Sequence, residues 1–290
     1  MGRCTVWELL EAASKFDGSP TVNEDVAKIL KKNGHSSGKV AGCTNTIMAM
    51  FFSIGAIDTV GGYRNNNKPL TENAKKKGLW HDGKSGILPG DIVVFGRNGK
   101  TNHTELAVGC REDISGNYNG GCSRRYRDSH SSKVFGYVRP NYEPMGPMND
   151  LQLTIAACDV ILDIYGTGNT RGEQLSVFGK ANAAAIQLKV NEVLETPDKT
   201  AFAMAVYIIK GHAGKGSYRK KRLGKFYQPA KDRVDSIFAL HTHSIEQAAA
   251  DVISGLYGKM EVRKALLKFN GYDPDMVQKT VNTILERRGG

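Results

Sequence analysis

The chain of 290 residues has no run of 18 apolar residues, so it offers no membrane-spanning helix. No apolar stretch follows the opening Met1-Gly2-Arg3-Cys4-Thr5, and no secretory signal is expected. Position 6 is Val6 rather than Ser or Thr, which argues against N-myristoylation. The five cysteines, Cys4, Cys43, Cys110, Cys122 and Cys158, include no Cys-x-x-Cys pair. An odd number without that spacing is neither a disulfide framework nor a zinc knuckle, and it fits synthesis in reducing cytosol. Cys110 and Cys122 could pair, but two free thiols are the simpler expectation. His81, His130, His212, His241 and His243 lack metal-ligand spacing, so no metal and no cofactor is expected. Asn65-Asn66-Asn67 is too weak a signal for calcium.

Acidic residues are also short, with 29 Asp and Glu against 40 Lys and Arg, for a net charge of +11. Residues 1–142 hold 20 basic and 13 acidic side chains, and residues 199–240 hold 10 and 2. Such a balance favours a polyanionic partner. The run Arg219-Lys220-Lys221-Arg222 has no interleaved aromatics on which bases could stack, so nucleic acid is not the expected partner.

What the sequence does contain is a pattern repeated three times. Copy one runs through Tyr165, Gly166, Arg171, Leu175, Ile186, Val190 and Leu194. Copy two runs through Gly214, Arg219, Leu223, Ala230, Val234 and Phe238, and copy three through Tyr257, Gly258, Arg263, Leu267, Val277, Val281 and Leu285. The Gly-to-Arg step is five residues each time, and the Arg positions lie 48 and 44 apart. A period of this size marks an array of small supersecondary units. Each copy reads as a helix stopped by Gly, a second helix from Arg to Leu, and a third with apolar positions four apart. The Arg beside each Gly turn is placed to grip a carboxylate or carbonyl with its planar fork, although a solvated helix Arg would give the same pattern.

The turns "IYGTGNTR", "KGHAGKGSYRKKRL" and "LYGKMEVRKALL", with the closing "QLKVNEVL" and "VQKTVNTIL" helices, resemble the CW_7-type cell-wall-binding repeats of certain phage lysins. The resemblance covers roughly residues 153–194, 203–238 and 246–285. Copy two departs from it with "AKDRVDSIF" and with Pro229 at the start of its third helix. The resemblance implies bacterial peptidoglycan muropeptides as the partner. Arg171, Arg219, Arg263, Tyr165 and Tyr257 are then the expected wall contacts.

Glu143-Pro144-Met145-Gly146-Pro147-Met148-Asn149-Asp150 reads as a linker. The expected organisation is a catalytic domain over 1–142, a linker over 143–150, and repeats over 151–196, 199–240 and 244–288. Before the linker, the segments 5–16 and 24–33 read as helices, the first opened by a Thr5/Glu8 capping-box pattern. An apolar run at 47–57 reads as a buried helix led by Ala41-Gly42-Cys43-Thr44-Asn45. Strands are expected at 92–95, 103–110 and 135–139, the first two joined by an Asn98-Gly99 hairpin signal. Helices followed by an antiparallel sheet make an α+β domain, here followed by three small all-α three-helix repeats.

Cys43 sits at the N-terminus of the buried helix, where the helix dipole favours a thiolate. His103 opens a strand from which an imidazole could reach it, the minimum for nucleophilic acyl transfer. A Cys on an apolar helix is, on position alone, more often simply buried. The segments "GCTNTI", "LPGDIVVFG", "NHTELAVG" and "FGYVRPNY" resemble the papain-like NlpC and CHAP peptidoglycan hydrolases over roughly 5–142. That resemblance implies Cys43 as nucleophile and His103 as general base. A third group should orient the imidazole. Asn117, in the place of the family's Glu-Gly-Asn motif, ranks first, Glu105 second and Asp113 third. The motif's acid is Ser115 here, so the usual acid is absent or comes from elsewhere. Asp91 reads as a turn residue. Together the two resemblances imply an endolysin, made without a signal peptide and acting on the wall. It would cleave an amide in the stem peptide or cross-bridge, with an N-acetylmuramoyl-L-alanine amidase or a non-catalytic wall binder as the alternatives.

Overall fold

The computed structural model describes residues 2–19, 22–35, 42–97, 100–118, 121–127 and 133–289. The Asn98-Gly99 turn and His130 lie outside the described residues. The chain forms two compact units. Unit 1 comprises Met1–Gly146 and Asp163–Ala183, and unit 2 comprises Pro147–Leu162 and Ala184–Gly290. These are not the segments expected from the repeats, because 163–183 of the first copy packs with the N-terminal domain. Local contacts explain this: Phe178 stacks edge-on against Trp7 at 6.0 Å, Gln174 Nε2 donates to Ile87 O at 2.7 Å, and Cys110 N donates to Ile164 O at 2.9 Å.

Unit 1 opens with helices α1 (Val6–Phe16) and α2 (Val22–Lys32). The α1 capping box forms, with Glu8 N donating to Thr5 Oγ1 at 3.3 Å and Thr5 N to Glu8 Oε2 at 2.8 Å. Helix α3 (Cys43–Ser53) starts at Cys43, with Gly42 as its N-cap. Ile47, Met48, Ala49, Met50 and Phe51 on it are fully buried, so α3 is a core helix with apolar residues on every side. A 3-10 turn (Ile57–Val60) and helix α4 (Asn67–Lys76) follow. Sequence reasoning missed α4, whose inner face is mainly polar: Asn67, Thr71 and Asn73 are buried beside Leu70 and Ala74.

The sheet has six strands: β1 (Trp80–Asp82), β2 (Ile92–Arg97), β3 (Lys100–Ala107), β4 (Glu112–Tyr118), β5 (Gly121–Tyr126) and β6 (Val134–Val138). Their order is β1-β6-β2-β3-β4-β5, with antiparallel neighbours throughout. A Cβ on Gly116 of β4 would lie 2.3 Å from Thr46 Oγ1 of α3, so glycine lets the helix lie directly on the strand. Asp91 keeps its structural role. Its carboxylate accepts from Leu88 N at 2.8 Å and pairs with Arg139 at 3.0 and 2.7 Å, joining the Pro-Gly-Asp turn to the Arg-Pro end of β6. Asp17, at the end of α1, accepts from the backbone and side chain of Arg124 on β5 at 3.1 and 2.9 Å.

The C-terminal region is entirely helical. Its helices are α5 (Asp150–Ile161), α6 (Gly168–Leu175), α7 (Lys180–Leu194), α8 (Pro197–Ile209), α9 (Gly216–Leu223), α10 (Tyr227–Ala239), α11 (Ile245–Ile253), α12 (Met260–Phe269) and α13 (Pro274–Gly289). Three helices fall in each stretch of the sequence pattern, α5–α7, α8–α10 and α11–α13. Pro229 falls in the first turn of α10, where an N–H has no intrahelical partner to lose. In unit 2 the third copy builds its core from Val252, Tyr257, Val262, Leu266, Leu267, Val277 and Val281. Among the described residues, no helix is long and apolar enough to cross a membrane.

Candidate active site

Because α3 begins at Cys43, the N–H groups of its first turn have no carbonyl partner within the helix. The thiol therefore sits at the positive end of a helix. Asn67, the first residue of α4, faces it: its Oδ1 accepts from the Thr44 hydroxyl and, at 3.7 Å, from Cys43 Sγ. Thr44 Oγ1 also lies 3.3 Å from Thr104 Oγ1 on β3, so α3, α4 and β3 meet at Cys43. Asn65-Asn66-Asn67 thus opens a helix that borders the site.

His103 is the next residue along β3. Its Nε2 lies 3.1 Å from Glu105 Oε1 and 2.8 Å from Ser115 Oγ. Ser115 directs its own hydroxyl at Gly116 O (3.4 Å), so the serine oxygen accepts from the imidazole. With Nε2 engaged in this way, Nδ1 is the nitrogen left for Cys43. The strand period places Glu105 two residues on from His103, and the Leu106↔Ile114 register brings Ser115 alongside Glu105. Glu105 is 1% exposed. It is therefore a buried carboxylate against the imidazole, where sequence reasoning ranked it behind Asn117.

Asn117 lies in β4, but its side chain falls outside the described residues. Asp113 is fully buried and reaches the site indirectly: the Ala107↔Asp113 register sets it on the same sheet face as Glu105, and Arg127 grips it through Nε at 2.9 Å to both carboxylate oxygens. Sequence reasoning missed Arg127, Ser115 and Asn67. The only signal for Ser115 was its place in the Glu-Gly-Asn motif, and nothing local marked Arg127.

The electrostatics follow from these contacts. Burial disfavours the Cys43 thiolate, but hydrogen bonds from His103 and Thr104 and the nearby imidazolium charge outweigh it, lowering the thiol from 9.0 to about 7. Burial also disfavours the imidazolium, yet bonds to Cys43 and Glu105 raise His103 from 6.5 to about 9. The pair is thus a thiolate and an imidazolium between those values. The other four thiols differ: burial raises Cys4, Cys110, Cys122 and Cys158. All five cysteines are free, Cys110 and Cys122 included. Among the described residues, no group of three or more His, Cys, Asp or Glu side chains could hold a metal ion.

In the C-terminal region one bond recurs in every copy. Arg171 Nε donates to Gly166 O at 3.0 Å, Arg219 Nε to Gly214 O at 2.9 Å, and Arg263 Nε to Gly258 O at 3.3 Å. Each arginine thus closes the glycine turn that precedes it. Arg263 Nη1 also donates to Gln278 Oε1 at 3.0 Å. The tyrosines require a correction. Tyr165 and Tyr257, expected to touch the wall, are 1% and 0% exposed, and their rings fill cores. Tyr257 OH accepts from Asn270 Nδ2 at 3.0 Å, and Tyr165 packs edge-on against Phe178 at 5.9 Å. In the basic run, Arg222 is buried and donates to Tyr207 OH at 2.6 Å and to Asp159 at 3.3 Å, so it presents no charge to a polyanion.

A family model described as the CW_7 repeat matches residues 246–285. The match spans nearly all of α11, α12 and α13, including the Gly258 turn and Arg263. Residues 246–285 are a CW_7 repeat, which supports cell-wall binding by this part of the chain. No curated protein matches the chain.

Proposed function

We propose that the chain is a cysteine peptidoglycan hydrolase of the endolysin kind, held to the bacterial wall by three C-terminal repeats. The observation that carries the reading is Cys43 at the start of α3, beside an imidazole braced by a buried carboxylate, with the thiol lowered to about 7 and the imidazole raised to about 9. Each group favours the charged form of the other, with Glu105 adding to the imidazolium and Thr104 to the thiolate, and a thiolate beside an imidazolium is what nucleophilic attack on an amide uses. The CW_7 repeat supports the wall as the place where that amide is found.

In this mechanism the Cys43 thiolate attacks the amide carbon, and the carbonyl π electrons move onto oxygen. The oxyanion is met by the first N–H groups of α3. Collapse of the intermediate breaks the C–N bond while the His103 imidazolium gives its proton to the leaving amine. The neutral imidazole then takes a proton from water, hydroxide attacks the thioester, and the acid departs as Cys43 thiolate is restored. Glu105 keeps Nε2 protonated and the ring aimed throughout.

The favoured bond is an amide of the stem peptide or cross-bridge. The experiment is digestion of purified Gram-positive sacculi with wild-type protein and with Cys43→Ala, the new termini being identified by mass spectrometry. New amino termini of peptide residues that vanish in the variant support an endopeptidase, whereas a freed L-alanine amine and intact glycan lactyl acid identify an amidase. No new termini from several wall types would overturn the catalytic reading and leave a wall-binding protein.

A further inference from the structure

The acid that braces His103 has a second buried carboxylate for a neighbour, and a guanidinium grips that neighbour. We propose that Asp113 and Arg127 are positioning residues for His103, acting through Glu105 from the far side of the imidazole. The inference rests on the proposed Cys43–His103 pair and extends it by two residues. Asp113, on β4, is fully buried, and the Ala107↔Asp113 register puts it diagonally across from Glu105 on the same face of the sheet. Arg127 grips Asp113 with Nε at 2.9 Å to both oxygens, and its Nη1 and Nη2 donate to Cys110 O at 2.9 Å and Gly109 O at 3.0 Å. The guanidinium is thereby fixed in position and orientation by two backbone carbonyls as well as the carboxylate, a use of its fork that lysine could not reproduce.

The charge order from the nucleophile inward is thiolate, imidazolium, carboxylate, carboxylate, guanidinium. Two buried carboxylates side by side repel, and Arg127, bound to Asp113, offsets that repulsion from behind. The groups facing this cluster are His103 on β3, which contacts Glu105, and the Cys110 thiol, which lies near Arg127. Burial, with Glu105 adding to it and Arg127 opposing it, raises Asp113 to about 6, so the carboxyl pair takes up a proton at mildly acidic pH. With Asp113 charged, Arg127 is satisfied and Glu105 is left for the imidazole. With Asp113 neutral, Arg127 competes for Glu105.

The test uses the full chain and two readouts that do not depend on hydrolysis. The first is the pH profile of Cys43 alkylation by iodoacetamide in Asp113→Asn. The alkaline limb, set by His103, is expected to move down by about one pH unit or more, because Arg127 then turns to Glu105 and opposes the imidazolium. A purely structural Asp113 would lower the melting temperature and leave that limb in place, which would overturn the proposal. The second readout keeps the wild-type residues, and so stands even if Asp113→Asn does not fold. The His103 ring proton resonances are expected to show a second inflection near pH 6, where Asp113 titrates, besides the one near 9. A single inflection would overturn the coupling. If the alkylation and NMR results hold while sacculi remain uncut, the hydrolase reading fails and the positioning inference stands.

Discussion

The paired displacement of Cys43 and His103 can be turned into a rate. A thiol at the ordinary 9.0 is roughly 1% ionised at pH 7, whereas one at about 7 is roughly half ionised, a gain of about 50-fold in thiolate. A thiolate of lower basicity is also a weaker nucleophile. Over two units, a Brønsted slope of about 0.4–0.5 returns roughly 6- to 10-fold of that gain. The net expectation at pH 7 is alkylation of Cys43 roughly 5- to 8-fold faster than an unperturbed thiol. The pH profile should rise through about 7 as the thiol ionises and change again through about 9 as the imidazolium is lost. Peptidoglycan cleavage, which needs both charges, should be bell-shaped between the same limits. The assay is stopped-time labelling with iodoacetamide and peptide mapping from pH 5 to 10. Cys43→Ala assigns the signal, and the buried Cys4, Cys122 and Cys158 serve as internal slow thiols. Glu105→Gln should bring the alkaline limb down, since it removes a carboxylate 3.1 Å from Nε2. A Cys43 profile with one inflection near 9, unchanged by Glu105→Gln, would refute the ion pair.

Gly116→Ala should destabilise unit 1 by about 1–3 kcal/mol, because the new methyl meets Thr46, a fully buried β-branched residue, at 2.3 Å; a thermal melt unchanged from wild type would contradict that packing. Met260→Gly should stabilise unit 2 by roughly 0.5–1 kcal/mol, the left-handed penalty removed exceeding the entropy that glycine adds. Met260 has φ 43 and is 69% exposed, whereas copies one and two carry Gly168 and Gly216 at that position, with φ 54 and 55. A lower urea midpoint would count against it. Replacing Arg171, Arg219 and Arg263 together by Lys keeps the charge but loses the fork, and should weaken sacculus binding more than any single replacement, through lost avidity. Wild-type binding by the triple variant in a pull-down would end the idea that these arginines grip the wall.

What could be read in the sequence was what is local. The Thr5/Glu8 cap, the placement of Cys43 at a helix start, and the Gly-to-Arg step of each copy all depend on residues within one or two turns, and each appears in the structure where the spacing put it. Glu105 was harder, because its neighbours His103 and Ser115 come together only when β3 and β4 pair. A lone glutamate on a strand reads as solvated until the opposite strand is known. Helix α4 was lost for the converse reason: its inner face uses Asn67, Thr71 and Asn73, and the bonds of Asn67 to Thr44 and of Asn73 to Arg64, with that of Thr71 to the helix's own Asn67 O, replace the apolar stripe that periodicity detects. The tyrosines of the glycine turns misled in another way. Recurrence marked them as important but did not say whether they faced solvent or core, and both lie in the core.

The strand order has a consequence for how the site comes into being. β6, the last strand of the sheet in the chain, lies between β1 and β2. As the chain leaves the ribosome, β2, β3 and β4 can pair as successive hairpins, but β1 has no neighbour until Val134–Val138 emerge. The pairing of Asp91 with Arg139 waits for the same moment. The nascent sheet is therefore open along one edge of β2 through most of its synthesis, and the late, non-local insertion of one strand closes it. Shortening or delaying that segment would leave a protein with Cys43, His103 and Glu105 already made and an exposed strand edge, prone to pair with another copy before it can close on itself.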